Sequence, residues 1–153
     1  MFIWSTRLSK KKLAAGSILT IGVLAAVLLL PALLGEDDTP APLPGETNAQ
    51  RVEYLRTCGW EVVEEPVETF QFLLPEKLEE PYASYNELQL SQGFDLRPYC
   101  GHQLARYTYT LTNYPGRPEG VQANLYVCDG QIVGGDVFCP GAGGFQEALL
   151  SAQ

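Results

Sequence analysis

Leu13 to Leu34 reads LAAGSILTIGVLAAVLLLPALL, without a single charge, and no other stretch constrains the chain as much. At about 1.5 Å of rise per residue, a helix of this length covers about 33 Å, slightly more than the roughly 30 Å hydrocarbon layer of a bilayer. A single transmembrane helix over 13–34 is the expectation, with the lipid bilayer as its partner. The basic, apolar, polar order also fits a cleaved signal peptide. Against cleavage, the apolar run exceeds a normal h-region, and the nearest small-residue pair, Thr39 and Ala41, is followed by Pro42. No cysteine precedes Cys58 to carry a lipid. A retained anchor is therefore expected.

Charge around the span gives it a direction. Arg7, Lys10, Lys11 and Lys12 lie before it, whereas all 18 acidic residues lie after it, against six basic ones there. Positive-inside orientation makes residues 1–12 a basic cytoplasmic end and places the remainder outside the cell membrane. Twelve residues are too few for a folded signalling domain. The part beyond the span has a formal balance of −12, opposite to the basic stripe that displaces counterions from a polyphosphate. Nucleic acid is excluded as a partner on this ground.

Residues 35–46, with Pro40, Pro42 and Pro44, read as an extended Pro-rich linker. A globular extracytoplasmic domain is expected over 47–146, and a C-terminal tail over 147–153. Thr47 and Gln50 have capping-box spacing, and Val52 and Leu55 supply an inward face, so a helix is predicted over 48–58 with Gly59 as its stop. Trp60–Val63 and Glu68–Leu74 read as strands, the second alternating through Phe70, Phe72 and Leu74. Leu78, Tyr82, Tyr85 and Leu88 recur at helical spacing, predicting a helix over 77–92 with Pro81 in its first turn.

His102 to Asn113 places Ala105, Tyr107, Tyr109 and Leu111 on one strand face, and Leu104, Arg106, Thr108 and Thr110 on the other. Asp129-Gly130 favours a two-residue type I′ hairpin between Val121–Cys128 and Gln131–Cys139. In that register Val127 faces Ile132 and Leu125 faces Gly134, although the Gly134-Gly135 pair points to a bulge and a slip of one residue. The expected fold class is α+β, in the order α-β-β-α-β-β-β: two helices packed on one face of a mainly antiparallel sheet, preceded by the single transmembrane helix. Gly141 to Gly144 reads as a flexible loop, because the Lys-Ser/Thr of a P-loop is absent.

Chemistry-bearing residues are sparse. His102 is the only histidine, no C-x-x-C pair occurs, and neither a metal site nor a cofactor signature is visible. Asp136, beside the glycine pair, is a candidate for a perturbed carboxylate, with packing in a bulge as the simpler alternative. Asp95 and Arg97 are spaced for an ion pair or loop lock. Together with Arg106 and Tyr107 these are the candidate binding residues, and no catalytic residue is assigned. Cys58, Cys100, Cys128 and Cys139 lie on the expected outer side, where disulfides can form in three connectivities. Free thiols are the favoured reading, and the pairing least opposed by the register is Cys58 with Cys128 and Cys100 with Cys139.

Four segments then stand together: Gln92-Gly93-Phe94-Asp95-Leu96, Arg106-Tyr107-Thr108-Tyr109, Asn113-Tyr114-Pro115 and Ile132-Val133-Gly134-Gly135-Asp136-Val137. In these the chain resembles the domain of unknown function 4830, over about residues 47–146. The resemblance implies membrane-attached or exported proteins of Gram-positive anaerobes and carries no catalytic residue; the four cysteines are not part of its pattern. The expected function is a non-enzymatic binding or interaction module at the cell envelope, taking an envelope protein, peptide or glycan. Two alternatives are an extracytoplasmic enzyme using carboxylates such as Asp136 and Asp95, and an accessory subunit of a membrane complex.

Overall fold

The structure, a computed structural model, describes residues 41–150 apart from Pro118. The expected basic end, transmembrane helix, residues 35–40 of the linker and residues 151–153 of the tail lie outside the described residues. Among the described residues no helix is long and apolar enough to cross a membrane.

The order is α1 (Asn48–Thr57), β1 (Glu68–Leu73), α2 (Tyr82–Leu90), a 3-10 turn (Arg97–Tyr99), β2 (Gln103–Thr110), β3 (Gln122–Cys128), β4 (Gln131–Cys139) and β5 (Phe145–Ala148). The five strands form one antiparallel sheet in sequential order. The α+β class holds, with two differences in strand count. Trp60–Val63 does not become a strand: Val62 makes an isolated bridge to Leu111, and the Trp60 indole turns away to donate to the Leu149 carbonyl at 2.8 Å. Conversely, β5 forms where loop and tail were expected, so the boundary at 146 falls within a strand, and Leu149 beyond it is fully buried.

Local chemistry accounts for the elements that form. Thr47 and Gln50 complete the capping box at the start of α1. Asp129 and Gly130 both have positive φ, as a type I′ turn requires. Val127 pairs with Ile132, but beyond Val133 the register shifts, so that Leu125 faces Gly135 rather than Gly134. Bulging at this point re-aims the rest of β4 and brings Asp136 opposite Asn124.

The helices lie on opposite faces of the sheet, not on one. Val52 and Leu55 of α1 join Tyr109, Leu111, Val121, Ala123, Leu125, Val127 and Val137 in the larger core cluster. Tyr85 of α2 packs on the other side, with Leu74, Leu96, Leu104, Cys128, Val133 and Tyr126. The reason is visible in β4. An added Cβ at Gly134 would stand 2.9 Å from Gln89 Oε1, so the glycine opens a place for α2 on the face opposite the aliphatic rows.

The end of the linker belongs to the domain. Leu43 packs against the larger cluster and its carbonyl accepts from the Ile132 N–H, while the Gly45 N–H donates to the Gly130 carbonyl. Buried Arg51 clamps this segment, donating from Nη1 to the Gly45 and Glu46 carbonyls at 2.7 and 2.9 Å.

Candidate functional site

Helix α2 lies over β4 and β5, and the β1–β2 half of the same face stays partly uncovered. There a groove of about 650 Å³ opens, its walls including Phe70 and Phe72 of β1, Arg106 of β2, Tyr126 of β3, and Tyr82 and Tyr85 of α2. Period-two alternation puts Phe70 and Phe72 on the Arg106 face, since Phe70 pairs with Arg106 and Phe72 with Leu104. Neighbouring rings meet in sequence: Phe70 stacks on Phe72 at 6.2 Å, Phe72 meets Tyr126 edge-on at 5.9 Å, and Tyr85 meets Tyr126 at 5.7 Å. Phe70 remains 51% exposed, an unusual state for a phenylalanine in a strand with a core beside it.

Arg106 supplies the charge in this wall. Its Nη2 pairs with Glu68 and its guanidinium carbon stands 5.5 Å from the Phe70 ring centroid. Its Nε is buried without a hydrogen-bond partner among the described residues. A buried donor left unmade costs about 1–3 kcal/mol, which the Glu68 ion pair and ring packing of the same guanidinium offset in part.

Behind the groove lies Asp136, fully buried beneath α2. Its carboxylate accepts from the Tyr85 hydroxyl and from Asn124 Nδ2 at 3.0 Å, and Asn124 in turn accepts from the Thr108 hydroxyl at 2.8 Å. Burial pushes the Asp136 carboxyl up; hydrogen bonds from Tyr85, Asn124 and Gln146 and the Arg106 charge offset only part of this. Burial likewise raises the Tyr85 hydroxyl well above its ordinary range, reinforced by Tyr126 and Asp136.

The remaining sequence candidates are dispersed. Asp95 accepts two Nε contacts at 2.9 Å and an Nη2 contact at 2.7 Å from Arg97, a loop lock at the surface. Arg97 holds the Asp95 carboxyl down at about 2. Tyr107 is on the opposite face of the sheet, with the Arg51 guanidinium carbon 3.6 Å over its ring. Arg106 alone of the five lines the groove, with Asp136 directly behind it.

All four cysteines are free thiols. Cys58 and Cys139 pack with the α1-side cluster and Cys100 and Cys128 with the α2-side cluster. Pairing Cys58 with Cys128 and Cys100 with Cys139 would therefore cross the sheet. Among the described residues, no group of three or more His, Cys, Asp or Glu is placed to hold a metal ion.

Residues 54–137 match the family model described as a domain of unknown function, DUF4830. The chain belongs to this family. The matched stretch contains the groove-lining positions of β1, α2, β2 and β3, and it ends before Gln146 of β5. No curated protein and no solved structure matches the chain.

The aromatic wall was not among the sequence candidates. Tyr85 behaves as a core residue with a bonded hydroxyl, as its helical spacing suggested, whereas Tyr82 is 38% exposed at the groove mouth. A usable signal was present: the row Phe70, Phe72, Leu74 faces a strand whose same-side row holds the lone cation Arg106.

Proposed function

We propose that this DUF4830 domain is a non-enzymatic binding module, held at the outer face of the cell membrane by the span 13–34, and that the groove between α2 and the β1–β2 ribbon is its binding surface. The observation that carries the reading is the combination of partly exposed aromatic rings with the part-exposed Arg106 side chain in one concavity. Rings supply contact area at low entropic cost, and a single directional donor fixes orientation. The dispersal of Asp136, Asp95 and Tyr107 supports binding over acid–base chemistry, which needs its groups within reach of one reacting atom.

The test is site-specific photo-crosslinking on cells that make the full chain. A photoreactive residue at Phe70 or Tyr82 is expected to give adducts with an envelope protein, peptide or glycan. The same residue at Glu53, on the solvent side of α1, serves as the control. Equal labelling at all three positions, or none at Phe70 and Tyr82, overturns the groove as the binding surface.

A further inference from the structure

The long edge of β1 that faces away from β2 has no strand beside it among the described residues. The Leu74 N–H donates to the His102 carbonyl at 2.9 Å, and this sets the two-residue alternation of the ladder. Phe70 and Phe72 thus bond inward to β2, and Thr69, Gln71 and Leu73 present their amides and carbonyls outward. Natural sheets blunt such an edge with lysines, prolines or very short strands. From Thr69 to Leu74 there is neither charge nor proline, whereas the opposite edge strand, β5, is only 4 residues long. Apolar surface accompanies the open edge: Leu73 is 67% exposed, and Phe70 leads directly into the groove.

Charge selects among the occupants. Exposed acids bracket β1 in the sequence, Glu65 before it and Glu76, Glu79 and Glu80 after it, against Lys77 alone. In antiparallel pairing with a second copy, the acids before one strand would face those after the other. A chain with basic ends meets attraction at both.

We infer that β1 takes up an extended segment of a partner polypeptide as a sixth strand. Its alternate apolar side chains fill the aromatic groove, and basic residues flank them. The inference rests on the groove being the binding surface and adds the class of partner and its mode of attachment. Main-chain pairing provides affinity in such an arrangement, and the pockets for every second side chain provide selectivity.

The experiment pans a phage-displayed random dodecapeptide library on the full chain in lipid nanodiscs, then measures synthetic versions of the selected peptides. Selected sequences are expected to alternate apolar residues between lysines or arginines, and to bind more weakly as salt rises. Gln71→Pro removes an outward N–H while sparing the inward ladder, as edge prolines do. It is expected to weaken binding about tenfold or more, the equivalent of one or two backbone hydrogen bonds. N-methylation of the peptide at alternate positions gives a second reading independent of the variant's folding: one set of positions abolishes binding and the other is tolerated.

If binding falls with Phe70→Ala yet ignores both Gln71→Pro and N-methyl phase, the groove stands and strand addition is overturned. If no peptide is selected, or the selected sequences lack the alternation or the basic ends, the peptide partner is overturned. Concentration-dependent self-association lost in Gln71→Pro would make the occupant a second copy and overturn it as well.

Discussion

Asp136 and Arg51 show two ways of burying a charged residue type in a small domain. Arg51 lays its guanidinium among carbonyls, the Tyr109 hydroxyl at 2.9 Å and the face of Tyr107. Asp136 accepts from Tyr85 and Asn124, yet burial still dominates and its carboxyl is raised. A carboxyl that is easier to protonate in the folded state than in the unfolded one favours folding at low pH. That contribution is complete below the unfolded value of about 3.9 and is lost as pH rises through the higher folded value. Asp136→Asn preserves shape and removes the ionisation. We expect the difference in melting temperature between variant and wild type to grow in the variant's favour from about pH 4 upward, reaching roughly 4 °C or more at neutral pH, equivalent to about 1 kcal/mol. Thermal unfolding of the full chain in detergent across pH measures this. Parallel curves for the two proteins would show that Asp136 has the same affinity for protons folded and unfolded.

Helix α2 and the β4 bulge form one structural element, joined through a side chain that imitates a backbone. Gln89 Nε2 donates to the Gly135 carbonyl at 3.0 Å and Gln89 Oε1 accepts from the Gly135 N–H at 2.9 Å, as a neighbouring strand would. A methyl group at Gly134 would meet that same amide. Gly134→Ala is therefore expected to cost about 1–3 kcal/mol in the wild type and distinctly less in a Gln89→Ala background. Denaturant unfolding of the double-mutant cycle decides it: effects that add to within about 0.5 kcal/mol would sever the two sites. This element also lies beyond what local sequence patterns encode. The capping box at Thr47, the β2 alternation and the Asp129-Gly130 hairpin were legible because each is a local pattern with a local cause. The placement of α2 was not, because its buried residues are Asn86 and Gln89, chosen for backbone groups at Leu96 and Gly135 rather than for apolarity. Periodic hydrophobicity points to Tyr82, which stays exposed, and carries no sign that α2 packs on the face opposite α1. Strand β5 was hidden for a similar reason: only Phe145 and Ala148 of its four residues are apolar, and what holds it is pairing with β4. The groove itself follows from which half of a sheet face a helix leaves open, a property of assembly that no single segment encodes.

At the scale of the whole molecule, the proposed function depends on two parts that the sequence separates: an uncharged run preceded by four cations, and an acidic domain with one apolar edge. An acidic domain whose aromatic groove is partly exposed has reason to be concentrated at a surface, because tethering converts a weak contact into a recurrent one. In the proposed function the anchor would act together with the groove, and it can be tested apart from it. We expect the full-length chain to sediment with membranes, to resist extraction at high salt, and to lose its domain to protease added outside intact cells. Leu24→Arg with Val27→Arg places two charges near the middle of the span, each costing about 2.5–3.5 kcal/mol on the insertion scale, and is expected to shift the chain out of the membrane fraction. Release of a shortened soluble domain from wild-type cells would instead identify residues 13–34 as a removed leader. In that event the groove would act without a tether, its contacts would need to be strong individually, and the case for a partner held within the envelope would have to rest on the β1 edge alone.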